Sequence, residues 1–473
     1  MSVLTEIEEL RTHKLIPSGW ELSTLSECCD VILGQSPPGD TYNDKGIGLP
    51  FFQGKAEFGS LFPTPVKWCS APTKIAEKDD VLISVRAPVG PTNLSPSTCC
   101  IGRGLAAIRP LGGIEERFVL YWLRVSVDSL ASKATGSTFA AISGETLRTH
   151  PIPIAPLPEQ RRIVVEIETQ FTRLDAAVAA LERARANLKR YRAAVLAAAA
   201  TGTLLPGHRS DSTASSVDAP WNVPPDWQWS TVGRVAGTEK GSITDGPFGS
   251  NLKTEHYTTS GPRVIRLQNI GDGVFIDAHA HISESHYGKL RKHEVRPDDL
   301  VIAALGQSPP RACVIPPSVG PAIVKADCIR VRPNLAVSSA RFLNIVLNAE
   351  PTRRVVSSLI HGVGRPRLNL SEIRAIPVPL PPLHLQIELI EEVERRMSVV
   401  AANEIAITAN LTRAERLRQA ILCKAFAGQL VPQDPNDEPA DVLLERIRQE
   451  HSNKTSFRGT SRKKLRTAQP LLL

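Results

Sequence analysis

The first stretches with the residue types for chemistry are Gly34–Gly39, GQSPPG, and Gly306–Arg311, GQSPPR. Ser-Pro-Pro followed by an aromatic can hold an exocyclic amino group while the aromatic stacks on a flipped base. Here Gly39 and Arg311 follow the prolines, and no glycine-rich strand-turn for S-adenosylmethionine precedes either copy, so methyl transfer is not expected. Gly48–Ala56, GLPFFQGKA, comes near a phosphate loop. Five residues separate its glycines, and Ala56 stands where Ser or Thr must hold magnesium. His279, His281, His286 and His293 lie close together, and the first two share a strand face as metal ligands could. No Cys or helix-spaced carboxylate accompanies them, and no metal is expected. No nucleophile–base constellation stands out along the sequence.

A different chemistry is better supplied. Lys253, Arg263, Arg266, Gln268 and Asn269 surround the stretch RVIRLQNI; Lys289, Arg291, Lys292 and Arg296 form a basic turn; Arg365 and Arg367 follow in HGVGRPRLNL. Gln53, Lys55, Arg86 and Arg103 are the comparable set nearer the N-terminus. Arg reads guanine edges, Gln and Asn read adenine, and Lys anchors phosphate, so these are the candidate DNA contacts. For any one of them a solvated surface charge is the plainer reading; the set carries the argument. The net charge of +8 agrees with an anionic partner, and the basic stretch Asn453–Arg466 can add nonspecific affinity.

These donors must be positioned by a duplicated frame. Pro158–Thr201 has no internal Pro or Gly, and Ile167, Phe171, Leu174, Val178, Leu181, Leu188, Val195 and Ala199 recur as a heptad seam broken by Arg185 and Arg192. Gly202 caps it and Pro206 prevents its restart. A second helix is expected over Leu383–Ala427. An offset of 226 aligns Pro151–Gln160 with Pro377–Gln386 and Ala194–Pro206 with Ala420–Pro432, which marks a tandem duplication. Upstream the offset shrinks: Pro17–Leu25 matches Pro224–Val232 at 207, and Asp79–Val85 matches Asp298–Ala304 at 219. The pentapeptides GQSPP obey none of these offsets; Gly34 is expected opposite Gly241, and Gly306 opposite Ala87. The order is thus head, long helix, linker (Gly207–Pro220), head, long helix, with β-branched runs and Gly/Pro turns giving each head strands. The helices are expected to pair antiparallel and space the heads apart; an ordinary bundle core is the alternative for the seams.

Length and composition, 473 residues with 42% hydrophobic and 22% charged, fit several globular domains. The eight cysteines lack zinc-ribbon spacing and are expected to be reduced. No apolar run is long enough to span a membrane, and the glutamate-rich start is unlike a signal peptide, so a cytoplasmic location is expected.

These residues carry a specific resemblance. GQSPPGDTYNDKGIGLPFFQG, DDVLISVRAPVG, CIGRGLAAIRP and the junction GSTFAAISGETLRTHPIPIAPLPEQRRIV resemble the DNA-specificity subunits of type I restriction-modification systems, as does TDGPFGSNLKTEHYTTSGPRVIRLQNIGDG in the second head. The resemblance implies an α+β fold: two mixed target-recognition domains in tandem pseudo-repeat, separated by two long antiparallel coiled-coil helices. Their bounds would be 1–157 and 223–381 for the heads, 158–205 and 382–430 for the helices, 206–222 for the linker and 431–473 for a C-terminal extension. It further implies that each head reads half of an asymmetric double-stranded DNA site. The helices would dock two methyltransferase subunits, and motor-nuclease subunits would join them. S-adenosylmethionine, ATP and magnesium would belong to those partners, and none to this chain. One departure is plain: PLPEQ at Pro156–Gln160 becomes PLHLQ at Pro382–Gln386, with Leu385 in place of Glu159. A scaffold that reads no DNA and a stand-alone DNA methyltransferase are the competing readings.

Overall fold

In the computed structural model the described residues are 17–135, 140–206, 219–306, 310–359 and 367–450. They form two compact units, Met1–Ala180 with Asn410–Leu473, and Leu181–Ala409. Each unit therefore holds one head, the near end of one long helix and the far end of the other.

Both long helices are continuous, Leu157–Ala200 and Leu383–Phe426, 44 residues each, or about 66 Å at the usual rise of ~1.5 Å per residue. Each ends on a glycine in the left-handed region, Gly202 (φ +76°) and Gly428 (φ +66°), which releases the helix's last carbonyls into a turn. In the first unit the start of the first helix lies beside the end of the second: the Arg418 guanidinium sits 4.7 Å from the Phe171 ring centre and pairs with Asp175. In the second unit Arg192 and Leu196 line one cavity with Val393, Met397 and Val400. The pairing is antiparallel in both.

The seam residues Ile167, Phe171, Leu174, Val178, Leu181, Leu188, Val195 and Ala199 are all buried or half-buried. Its two expected breaks resolve differently. Arg185 is exposed, and half-buried Ala184 takes its place on the seam. Arg192 stays on the seam because it is anchored, its Nη2 donating to the Asp272 carbonyl of the second head at 2.5 Å.

The two heads repeat one strand plan. In the first, a four-stranded antiparallel sheet runs in the order Cys29–Leu33, Leu105–Pro110, Val81–Ser84, Thr92–Leu94; in the second, Ile243–Thr244, Cys328–Val331, Leu300–Ala303, Arg311–Val314. A second sheet in each contains one parallel pair, Phe51 beside Cys100 and Val264 beside Ile323. A two-stranded ribbon closes each head onto its helix, with Glu21 opposite Ile154 and Gln228 opposite Leu380.

The repeated Asp-Asp has a mechanical reason. Asp79 and Asp298 adopt φ +68° and +63° and turn the chain into the central strand. Asp80 and Asp299, nearly inaccessible, each accept two bonds from one arginine. Arg109 donates through Nε and Nη2 at 2.9 Å each, Arg332 at 2.8 Å each. Each carboxylate also takes a backbone N–H three residues upstream, from Glu77 or Arg296, at 2.8 Å. The clamp pins the turn to the neighbouring strand in both heads.

The first core gathers Trp20, Phe118, Trp122, Ile167 and Phe171 with Phe426 of the other helix and Leu443, Leu444 and Ile447 of the C-terminal segment. Phe426 lies 4.9 Å from the Phe118 ring and 5.2 Å from Trp122. Residues 440–447, expected as an extension, are thus part of the head. None of the eight cysteines is in a disulfide; burial pushes the thiols of Cys99 and Cys313 up, to about 11 and about 12.

His150 is fully buried beside Trp122, neither ring nitrogen has a protein partner, and burial holds its pKa down at about 4. Ile376 stands at the equivalent place in the second head, also fully buried. Between pH 6.5 and about 4 the unfolded chain takes up a proton that the folded head refuses, so stability falls as pH falls through that window. His150→Ile is expected to remove roughly 3 kcal/mol of that decline. Urea melts of both chains at pH 7 and pH 4.5 check it; an equal acid loss in the variant would contradict it.

Candidate nucleic-acid interface

In the first head four loops meet at one end of the sheets. Gly34 donates to the Leu105 carbonyl (2.9 Å), Gln35 to Ile101 (3.0 Å), Gly102 to Phe52 (2.8 Å) and Val85 to Gly104 (2.9 Å). A Cβ on Gly34 would lie 2.2 Å from the Gly102 oxygen, so only glycine fits this approach. The loops carry Gln53, Lys55, Arg86 and Arg103, all exposed. Arg103 donates from N and Nε to the Ser36 hydroxyl at 3.4 Å. The GQSPP turn is therefore part of this tip.

The second head builds the same tip from unlike residues. Lys325 donates to Ile265 (2.8 Å) and Ala304 to Asp327 (2.9 Å), the counterparts of Gly102 to Phe52 and Val85 to Gly104. A Cβ on Gly246 would lie 2.0 Å from the Lys325 carbonyl carbon, as Gly34 crowds Gly102. Gly34 thus faces Gly246, which corrects the expected match with Gly241: Cys29–Leu33 follows the short helix Leu25–Cys28 directly, whereas residues 236–242 stand between Val232–Val235 and Ile243–Thr244 and move the register. In the first head Arg86 bridges Ala141; in the second Leu305 bridges Arg367. The arginine has changed sides of one bridge, and each tip keeps its cation. Arg367 is half exposed, pairs with Asp327 at 2.8 Å and lies 5.7 Å from the Phe248 ring.

Of the remaining candidates, Gln268 is exposed and Arg266 half-buried, donating from Nη2 to the His279 carbonyl at 3.0 Å. Lys253, Lys289, Arg291 and Lys292 are exposed on a second group beside the tip loop, where His286 stacks on His256 at 4.1 Å and bonds the Asn251 carbonyl at 2.9 Å. Arg365 lies outside the described residues, as do Gln307–Pro309 of the second GQSPP.

Two candidates are corrected. Arg263 is 7% exposed, with Nη2 committed to Asp277 at 2.7 Å. Asn269 is fully buried; its amide donates to the Ile276 and Ala278 carbonyls at 2.8 Å each, and its oxygen accepts the Arg266 N–H. Both shape the loop from inside, because a strand alternates its faces and a short turn must satisfy its own backbone.

Sequence reading missed Ser36, Phe248 and Lys325, which lies 5.7 Å from the Tyr257 ring. The signal for Phe248 was an aromatic set between turn glycines. The four histidines do not converge: His293 bonds the Asp245 carbonyl, His281 the Gly261 carbonyl, and His279 neighbours His281.

The departure at Leu385 also has a visible setting. Glu159 is 1% exposed, burial pushes its carboxyl up, and its Oε1 has no protein partner. Beside it Arg162 pairs with Asp437 of the C-terminal segment at 2.6 Å. Leu385 is simply buried, while Gln160 and Gln386 keep the same bond to the carbonyl five residues back, Ala155 at 2.8 Å and Pro381 at 3.1 Å.

One repeated frame thus carries two unlike, cation-bearing tips. Residues 17–186 match the family model described as the type I restriction modification DNA specificity domain. A stretch of 156 residues, 32% of the chain, is 42% identical to a protein of Methanocaldococcus jannaschii named as the MjaX type I restriction enzyme specificity subunit, and spans 37% of that protein's length. The StySPI specificity subunit of Salmonella potsdam is 25% identical over 95% of this chain and 99% of its own. In fold the chain is similar to one solved in work on complex assembly and conformational transition of the type I R-M system, with TM-score 0.68, 20% identity and coverage of 88% and 99%. Residues 17–186 thus match the DNA specificity domain of type I restriction-modification systems, and nearly the whole chain is similar to a specificity subunit of such a system. Among the described residues no helix is long and apolar enough to cross a membrane.

Proposed function

We propose that this chain reads an asymmetric, bipartite duplex site for a type I complex, each head taking one half and helix length setting the number of base pairs between. The observation that carries the reading is the pair of equivalent tips. The tip of one head presents Gln53, Lys55, Arg86 and Arg103, and that of the other Arg266, Gln268, Phe248 and Arg367. Two unlike tips on one duplicated frame suit two unlike half-sites. On this reading the chain has no catalytic residues of its own. Two methyltransferase subunits dock on its long helices and supply S-adenosylmethionine and adenine methylation. Motor-nuclease subunits supply ATP- and magnesium-dependent cleavage.

A salt titration of duplex binding by the chain with its methyltransferase subunits tests the reading against the scaffold alternative. Contacts with several phosphates predict an affinity that falls steeply between about 50 and 200 mM salt, by roughly a thousandfold for six contacts. Weak, salt-insensitive binding would favour the scaffold.

A further inference from the structure

The second head holds a half-exposed aromatic ring at its tip. Phe248 is 48% exposed, and the loop presenting it is fixed from several directions. Gly246 is wedged against the Lys325 carbonyl. The Asp245 carboxylate accepts the N–H groups of Gly246 (2.7 Å) and Asp327 (3.1 Å), and its carbonyl meets His293 at 2.5 Å. Arg367 spans from the Asp327 carboxylate to the ring. A single exposed apolar side chain is ordinary on a protein surface; what distinguishes this one is the fixed loop beneath it and the guanidinium of Arg367 against its ring.

The surroundings indicate what meets it. Arg266, Lys325 and Arg367 stand at the same tip and Lys253 follows in the chain, a cationic rim suited to a polyanion. The tip register puts Ser36 at the corresponding place of the first head, bound by Arg103. One position is thus polar in one head and aromatic in the other, each beside an arginine. We infer that Phe248 is the apolar reading residue of the second head. The exposed part of its ring packs against bases of that head's half-site, and Arg367 orients the ring. This rests on the reading of the chain as a bipartite DNA reader.

The test uses the full chain assembled with its methyltransferase subunits and duplexes carrying the site mapped for the wild type, intact or with the second half-site scrambled. Phe248→Ala is expected to weaken binding to the intact duplex about tenfold, as loss of an aromatic base contact does. The slope of affinity against salt should stay unchanged, because no phosphate contact is lost. On the scrambled duplex the variant should bind like the wild type, and Phe248→Trp should keep most of the affinity. An unchanged affinity for the intact duplex, or an equal loss on both duplexes, would overturn the inference. A loss traced to weaker subunit assembly would overturn it too, by assigning the ring to a protein partner. A wild-type complex that does not distinguish the two duplexes would instead sink the reading of the head itself.

Discussion

Arg332→Ala is expected to destabilise the second unit by about 3–5 kcal/mol, the cost of leaving a buried carboxylate without its partner. Asp299 is 3% exposed, and after the change only the Arg296 N–H remains of its three bonds. The clamp holds the turn before Leu300–Ala303 to Cys328–Val331, the two middle strands of the sheet that carries the tip. Loss of the clamp therefore loosens the sheet and disorganises DNA reading together. Arg109→Ala should do the same to the first unit. Since the units are compact separately, urea melts should show each variant shifting a different transition. Replacing the pair jointly, Asp299→Leu with Arg332→Met, should recover most of the loss, because apolar side chains of similar volume leave no charge to desolvate. A loss below about 1 kcal/mol in either single variant would mean that water reaches the carboxylate and the clamp is dispensable.

Gly246→Ala is the change expected to cost most in function. A methyl group 2.0 Å from the Lys325 carbonyl carbon cannot be accommodated by a side-chain rotation, because the obstacle is backbone. The loop must lift, and Phe248, the support of Arg367 and the hydrogen bonds of Asp245 move with it. Sequence-specific binding through the second head should fall by more than a hundredfold, on the order of two lost base contacts. The fold should survive, since the loop is at the tip. Gly34→Ala, crowded to 2.2 Å by the Gly102 oxygen, is the matching change in the first head.

The long helices were legible because each is a 44-residue stretch with no Gly or Pro beyond its first turn and with apolar residues at helical spacing, and glycines at 202 and 428 mark their ends. The offset of 226 was legible for the same reason: helix and flanking strand are matched without gaps. The tips were not. Several of their strands are two residues long, such as Ile243–Thr244 and His281–Ile282, too short for any alternation to be read. Insertions between them move the register from 207 to 226 in steps that only hydrogen-bonded partners reveal. Hence Gly34 was matched to Gly241 instead of Gly246. Arg263 and Asn269 looked like base-reading donors because residue type alone does not tell a loop's outer face from the bonds that hold it shut. The swap of an arginine across one bridge, Arg86 against Arg367, is invisible to any ungapped comparison, yet it is the plainest sign that both tips do one job.

The central claim is that two unlike heads read the two halves of one site. A map of the adenines modified by the complex, made with the wild-type chain and with Gly246→Ala, tests it most directly. The account predicts an asymmetric motif in two parts with a fixed gap, in which the variant blurs one part and leaves the other, and the gap, unchanged. A single contiguous motif, or a variant that degrades both parts equally, would contradict it.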